Sequence, residues 1–354
     1  MMLTHDNTEN FFTVDHTVFP DSQDDNFQLL SHTEKEIVKI IDEYNDQQLF
    51  KLFSKDRTLK QFQDNVKEEK IKSFIRPYIE KRMQRALEIL RNTNIKVFIR
   101  DKSRTNIYEE DFLKVHKDYA EPVFHFSKGG EGSKYSLVLK YHDRELNIQD
   151  KYTEILCQEP AIIRLSRNIL FVKDIEAKKI QPFFTKDFIY IPEKTEEIYF
   201  KKFLINLVRK YEVNASGFKI NLIEPSIKTL LSIEKGIDNN AVIVLKFIYQ
   251  NHKILANSML KTFVDFHKKK ENYSYDKYPR NEDYENIAHD FLNDIGLISF
   301  DGVNYEVKGN RQKEFTRQLY DLIVRMNEHT GEIEEKGFEL LMKASEDPLY
   351  IGPI

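Results

Sequence analysis

The stretch Tyr135-Ser136-Leu137-Val138-Leu139-Lys140-Tyr141 decides the fold class, because most of its apolar residues recur at every second position. This period is typical of a β-strand that buries one face. Val123 to Phe126 precede it across the glycine-rich loop 128–133, and Leu146 to Ile148 follow a turn at 142–145. The three segments together predict an antiparallel meander.

Further strands are predicted after the meander. The segment 161–172 has the pattern of a hairpin, and 188–191 has that of a strand ended by Pro192. An apolar stripe between Tyr199 and Tyr211 predicts a helix, and strands are expected at 217–220, 229–233 and 241–249.

Helical patterns lie on both sides of this β-rich region. Ser31 and Glu34 have the spacing of a capping box, which predicts a helix start. The apolar stripe from Ile71 to Leu90 predicts a longer helix that Pro77 either opens or kinks. Near the end we expect a helix at 282–295 closed by Gly296, a hairpin with a type I′ turn at Asp301-Gly302, and a helix to about Glu328.

These patterns predict an α+β fold, with a helical amino-terminal part followed by two antiparallel β-rich parts with intervening helices and a helical end. They divide the 354 residues into a mobile acidic arm at 1–30, a helical region at 31–94, an antiparallel β-rich domain at 95–195 and a second α+β domain at 196–354 that ends as helix, hairpin and helix.

Composition narrows the class of protein. Hydrophobic residues make up 40% of the chain and aromatic residues 12%, which is typical of a globular protein with a core. No run of 18 apolar residues and no signal peptide is present, so we expect no membrane partner. The single cysteine, Cys157, has no intramolecular partner for a disulfide, which favours a cytoplasmic location.

The net charge of −4 conceals an asymmetry. Residues 1–48 hold eleven acidic and two basic side chains, whereas residues 49–104 hold sixteen basic and seven acidic ones. The acidic segment 1–48 either covers a polyanion-binding site of the same chain, as an intramolecular mask, or is a solvated tail beside a solvated helix.

Catalytic patterns are weak. The loop 129–134 is rich in glycine, but Lys134 leads into a strand and not into a helix, so a hairpin loop is predicted and not a phosphate-binding loop. The ten histidines show no metal-ligand spacing, and a lone cysteine is weak support for a thiol nucleophile. We predict no catalytic residue, no metal ligand and no cofactor site in this chain.

One segment has the composition of a nucleic-acid contact. Residues 266–280 interleave cations, which neutralise phosphates, with tyrosines, whose rings stack on bases. A charged linker between a strand and a helix is the alternative. A second basic surface is expected on the helix after Ile71. The candidate residues are Lys268, Lys269, Lys270, Tyr273, Tyr275, Lys277, Arg280, Arg82 and Arg85.

Several ordered pieces, covering roughly residues 70–340, carry a resemblance to a known family. They are Phe124-His125-Phe126 with the glycine loop and Tyr135-Ser136-Leu137, Glu154 to Ala161, Ile180 to Thr185, Ile191-Pro192, Tyr199-Phe200, Gly217-Phe218, Val242 to Tyr249, Arg280-Asn281-Glu282 and Leu292 to Gly296. In these pieces the chain resembles the amino-terminal, pre-motor region of bacterial SWI/SNF-type helicase-like DNA-dependent ATPases. The acidic segment 1–48 departs from the family pattern.

The resemblance implies a non-catalytic accessory region that supplies DNA contact or regulation to a downstream motor in the same polypeptide. Helicase and ATPase activity, with ATP and magnesium, would then belong to that motor, and DNA binding by this chain would be weak and without base specificity. The apolar end at Tyr350 to Ile354 is, in this interpretation, a cut inside a longer chain. Two alternatives remain open: a stand-alone protein-interaction or scaffold subunit, and a nucleic-acid-processing enzyme whose site the sequence does not group.

Overall fold

A computed structural model describes residues 2–5, 12–15, 18, 20, 25–98, 108–235, 241–270, 272–294, 297–307 and 338–340. The chain forms two compact units. Unit 1 comprises residues 1–194 and 211–216, and unit 2 comprises residues 195–210 and 217–354. The α+β class predicted from the sequence is confirmed, with helices between residues 25 and 91 followed by β-rich sheets with intervening helices.

Unit 1 begins with elements that the prediction of a mobile arm did not include. Strands β1 (Met2–His5) and β2 (Phe12–Asp15) pair antiparallel, and a short helix follows. The helices of unit 1 up to residue 91 are α1 (Asp25–Gln28), α2 (His32–Asp42), α3 (Asp46–Phe53), α4 (Leu59–Asn65), α5 (Glu68–Lys70) and α6 (Arg76–Arg91), with a π-helical turn at Ile71–Ile75 before α6.

Two sequence signals for helix boundaries in unit 1, the capping box at Ser31 and Pro77, can be compared with the structure. The capping box is confirmed, because the Glu34 N–H donates to Ser31 Oγ and the Ser31 N–H donates to Glu34 Oε2 at 2.9 Å. Pro77 lies in the first turn of α6, immediately after the π-helical turn, and the helical backbone runs without a break from Glu68, so Pro77 does not begin the helical segment that carries the apolar stripe. Proline lacks an N–H and is therefore tolerated in a first turn.

The apolar stripe of α6 is buried. Ile75, Ile79 and Met83 pack with Ile41 of α2 and Phe171 of the neighbouring sheet in one core cluster. Each of these side chains is at most 3% exposed. Burial of an aliphatic or aromatic side chain contributes roughly 1.5–3 kcal/mol, so this stripe anchors the helical part on the sheet.

The nine-stranded sheet of unit 1 has the order β10-β5-β4-β9-β8-β7. In addition, β3 and β11 pair with β4, and β6 pairs with β5. Its strands are β3 (Val97–Phe98), β4 (Phe112–Lys128), β5 (Gly132–Tyr141), β6 (Arg144–Leu146), β7 (Glu154–Cys157), β8 (Ile162–Leu165), β9 (Asn168–Val172), β10 (Ile189–Pro192) and β11 (Glu212–Ser216). Helix α7 (Ala177–Ile180) and a 3-10 turn at Gln181–Phe184 lie between β9 and β10.

The meander β4-β5-β6 and the hairpin β8-β9 are confirmed as antiparallel pairs. Two further pairings in this sheet are parallel and were not predicted, because β4 pairs in parallel with β9 and with β11. Parallel neighbours require a long crossover, and the helices after β10 supply one before β11. The 17 residues of β4 give it room for β9 along its first half and β11 along its second.

Unit 2 contains a helical run and two further sheets. The run is α8 (Glu193–Tyr199), a π-helical turn at Phe200–Leu204 and α9 (Ile205–Lys210). The other elements are β12 (Lys219–Leu222), β13 (Ile227–Lys235), β14 (Ala241–Tyr249), β15 (His252–Leu255), β16 (Thr262–Lys269), β17 (Asn272–Pro279), α10 (Glu282–Asp294), β18 (Leu297–Ser299), β19 (Asn304–Val307) and β20 (Phe338–Leu340).

The sheets of unit 2 are also mixed. The three-stranded sheet has the order β12-β17-β16 with β12 parallel to β17, and the six-stranded sheet has the order β18-β19-β14-β13-β20 with β15 on β14 and β20 parallel to β13. The hairpin β18-β19 is confirmed, but its pairing ends at Ser299 and Tyr305, so its loop is longer than a two-residue type I′ turn. Asp301 holds this loop by accepting the N–H groups of Val303 and Asn304.

The predicted closing residues Ile295 and Gly296 and the last helix to about Glu328 lie outside the described residues. Within the described part of the chain, none of the helices is long and apolar enough to cross a lipid bilayer.

Candidate nucleic-acid interface

The three lysines predicted to contact phosphates lie at the turn of a hairpin. Strands β16 and β17 pair antiparallel as far as Lys269 and Asn272, and Lys270 begins the turn with a left-handed φ of 55°. All three lysines are exposed. The predicted alternative of a linker between a strand and a helix is therefore wrong, because residues 262–279 form two strands.

Of these three lysines, Lys268 forms an ion pair with another described residue. Its ammonium lies 2.6 Å from Glu197 Oε2 of α8. The hydrogen bond to Glu197 raises the pKa of Lys268 above its usual value, so the charge is retained at neutral pH. Lys268 is thus paired with the helical run, and the neighbouring Lys269 and Lys270 are exposed.

The tyrosines of this segment are not the exposed stacking rings that the sequence suggested. Tyr273 is 7% exposed and Tyr275 is fully buried. The Tyr275 hydroxyl donates to the Phe200 carbonyl at 3.0 Å, and burial raises the pKa of this phenol. The Phe200 ring lies 4.6 Å from that of Tyr273. This correction has a simple cause: the helical run α8–α9 covers the tyrosine face of the hairpin.

Arg280 serves the fold of unit 2. Its guanidinium donates to both carboxylate oxygens of Glu285 at 2.6 Å and to backbone carbonyls of Ala256, Ser258 and Leu260. Both side chains of the ion pair are nearly buried, at 11% and 6% exposed. The hydrogen bond to Glu285 raises the pKa of Arg280. The donors of this arginine are directed at protein acceptors. Lys277 of β17 is half-buried and also has a partner.

The two candidate arginines of α6 contact Glu43, the residue that follows α2. Arg82 Nε lies 3.1 Å from Glu43 Oε2, and its guanidinium lies 3.3 Å from the centre of the Tyr78 ring. Arg85 lies 3.8 Å from Glu43 Oε1 and is about half exposed. The acidic segment 1–48 thus neutralises part of the basic segment 49–104 through Glu43.

Two further lysines adjoin the hairpin and were missed in the sequence. Lys201 and Lys202 are exposed on the π-helical turn after α8, and Lys201 lies four residues after the Lys268 partner Glu197. We call Lys201, Lys202, Lys268, Lys269 and Lys270 the lysine surface. The apolar stripe of the helix indicated that Lys201 and Lys202 lie on its outer face, but no local signal showed that this helix packs on the hairpin.

Other predicted chemistry has no counterpart among the described residues. The loop between β4 and β5 is a hairpin loop, as predicted, closed by a hydrogen bond from the Gly129 N–H to the Gly132 carbonyl. Cys157 is buried, and burial raises the pKa of its thiol, which opposes a nucleophilic role. No group of three or more His, Cys, Asp or Glu side chains in the described ranges is placed to hold a metal ion.

Comparison with known proteins adds no relative: no family model, no curated protein and no solved structure matches the chain.

Proposed function

We propose that the chain is a non-catalytic accessory region of a helicase-like, SWI/SNF-type DNA-dependent ATPase and that its lysine surface contacts the phosphate backbone of DNA. The observation that carries the proposal is that five exposed lysines lie on a helical turn and a hairpin tip, where Phe200 of the turn packs on Tyr273 of the hairpin and Lys268 pairs with Glu197. The ordered pieces of resemblance between residues 70 and 340 support the family assignment.

The chemistry of this surface defines the kind of binding. Lysine is a flexible point charge that neutralises phosphates without selecting bases. Because Tyr273 and Tyr275 are buried, neither of the two predicted rings is exposed for base stacking, so affinity rests mainly on counterion release and decreases steeply with salt. Duplex and single strands are then bound with similar weak affinity.

The proposal includes an ATPase motor that lies outside this chain. ATP and magnesium would be bound by a downstream part of the same polypeptide, and no residue of this chain is assigned to them. A cytoplasmic location completes the proposal and is supported by the single, buried Cys157.

The test compares two double charge reversals. Lys269→Glu with Lys270→Glu changes the exposed hairpin tip and spares the ion pair of Lys268, so the fold should be retained. The control, Lys253→Glu with Lys261→Glu, changes the net charge equally at two exposed lysines outside the lysine surface. Affinity for labelled duplex and single-stranded DNA is measured by fluorescence anisotropy at several salt concentrations.

We expect the tip variant to weaken binding about tenfold or more at low salt and to reduce the salt slope by about 2, since roughly one unit of slope is lost per phosphate contact. The control should retain the slope of the wild type. Equal effects of the two variants, or no binding by the wild type at low salt, would overturn the proposal.

A specific observation favours a second candidate, the protein-interaction subunit. Met259 is 96% exposed, and Leu255 and Leu260 beside it are 46% and 42% exposed. Arg280 holds the backbone of this loop at three carbonyls. An apolar group presented on a fixed loop is typical of a protein contact. Absence of DNA binding at low salt would leave this candidate as the better account.

A further inference from the structure

One face of the sheet in unit 1 carries two rows of polar side chains that cross three strands. Ser127 of β4 pairs with Lys134 of β5 and with Ser216 of β11. Two positions earlier on β4, His125 pairs with Ser136 and Asn214 of the same neighbours. Residues two apart on a strand share a face, so both rows point to the same side of the sheet.

A pocket of about 470 Å³ lies over these rows. This volume is within the range of ~300–1,000 Å³ that is common for small-molecule sites. Asp187 and Phe188, which precede β10, form another wall of it. Phe188 is 47% exposed, and the ammonium of Lys134 lies 5.2 Å from the centre of its ring.

The pocket therefore combines three kinds of contact. Lys134 and the hydroxyls of Ser127 and Ser216 can donate to an anionic group, and no carboxylate of the described residues forms an ion pair with Lys134. The Phe188 ring can stack on a planar group. The Asp187 carboxylate beside it can accept from N–H groups on the edge of that planar group.

We propose that this pocket binds a nucleoside monophosphate, with the phosphate at the Ser127-Lys134-Ser216 row and the base on Phe188. The charges favour this orientation over the reverse one. Glu145 Oε1 lies 3.7 Å from His125 Nε2, so a carboxylate borders the other row and would repel a phosphate placed there. Ser127, Lys134 and Ser216 lie two positions away, along their strands, from the row of His125, which borders Glu145.

The same chemistry can come from a free nucleotide or from the phosphorylated end of a nucleic-acid strand. The pocket belongs to unit 1, whereas the lysine surface belongs to unit 2. Binding of a mononucleotide in the pocket can therefore be tested independently of DNA binding by the lysine surface.

The absence of tryptophan from the chain allows a direct test. Phe188→Trp places the sole indole of the protein at the proposed base-stacking position, and the exposure of Phe188 leaves room for the larger ring. The full chain carrying this substitution is titrated with guanosine 5′-monophosphate, with guanosine, with ribose 5-phosphate and with a 5′-phosphorylated dinucleotide, and tryptophan emission is followed.

Guanosine 5′-monophosphate should quench the emission with a Kd below about 1 mM, and guanosine should bind at least about tenfold more weakly because it lacks the anion. Ribose 5-phosphate should compete without strong quenching. A dinucleotide that binds as well as the mononucleotide would identify a strand end as the source, and one that binds more weakly would identify the free nucleotide.

Two further variants in the Phe188→Trp background make the test specific. Lys134→Gln should weaken nucleotide binding at least about tenfold, the loss expected for one charge-assisted contact. Lys114→Gln, which removes an exposed lysine of β4 outside the pocket, should change nothing. No quenching by the nucleotide, equal affinity for guanosine and its monophosphate, or equal effects of the two lysine variants would overturn the proposal.

Discussion

Gly132, at the start of β5, has a position that only glycine can occupy without strain. Its φ is +138°, and a Cβ placed there would lie 2.5 Å from the Ile191 carbonyl oxygen and 2.8 Å from the Tyr190 hydroxyl. Real Cβ atoms do not approach backbone oxygens this closely. The glycine is therefore needed where β10 pairs with the start of β5, which explains a pattern that resembles a phosphate-binding loop.

We predict that Gly132→Ala lowers the free energy of unfolding by about 2 kcal/mol or more, through the strained φ and the displacement of β10. Urea denaturation followed by circular dichroism measures the change. Gly130→Ala is a matched control in the same loop, since no atom lies within 4 Å of its added Cβ, and it should stay within about 0.5 kcal/mol of the wild type. Equal losses for both variants would contradict the assigned role of Gly132.

Among the elements of unit 2, Arg280 joins three segments. It lies between β17 and α10, pairs with Glu285 inside α10 and holds the carbonyls of the loop 256–260. The Tyr249 hydroxyl of β14 also donates to Glu285, and burial raises the pKa of this phenol. The pair is satisfied on all sides, so removal of one member leaves an uncompensated buried charge.

We predict that Glu285→Ala destabilises the protein by about 3–5 kcal/mol, because the guanidinium of Arg280 would stay buried without its carboxylate. Glu282→Ala, at an exposed position in the first turn of the same helix, should cost less than about 1 kcal/mol. Chemical denaturation of the two variants checks the difference. A loss below about 1 kcal/mol for Glu285→Ala would show that the pair is dispensable.

The hairpin β16-β17 shows what the sequence could and could not predict. Tyr273, Tyr275 and the polar residues beside them alternate with a period of two, which is the signal of a strand as well as the pattern of rings among lysines. The sequence gives the period but not the element that covers the apolar face. Here that element is the helical run 193–210, more than 60 residues earlier in the chain.

The same distinction holds elsewhere. Residues 135–141 were predicted well because both the period and the neighbouring strands are local. Strand β11 was missed because Glu212 to Ser216 has little apolar pattern, and it is a strand through its parallel pairing with β4, about 90 residues earlier. Local periodicity therefore predicted the elements, and long-range pairing determined which faces and which lysines are exposed.

At the scale of the whole molecule, the charge asymmetry is partly an internal pairing. Arg82 and Arg85 both lie against the carboxylate of Glu43, which follows α2 and is not one of the first 24 residues. Those 24 residues carry five acidic and no basic side chains, so their removal changes the net charge from −4 to +1. If these residues mask the binding surface, their negative charges act on it by direct contact. If they form a solvated tail, the charges act only over a long range.

Deletion of residues 1–24 should strengthen DNA binding at low salt and have almost no effect near 0.15 M salt, where the Debye length is about 8 Å. The deletion retains Glu43 and its two arginines, so under the tail hypothesis it removes five negative charges that act on bound DNA only over a long range. Anisotropy titrations of the deleted and full chains across this salt range provide the measurement. A gain in affinity that persists at moderate salt would mean that the segment covers the binding surface by direct contact, since short-range ion pairs are screened far less than charges separated by more than a Debye length.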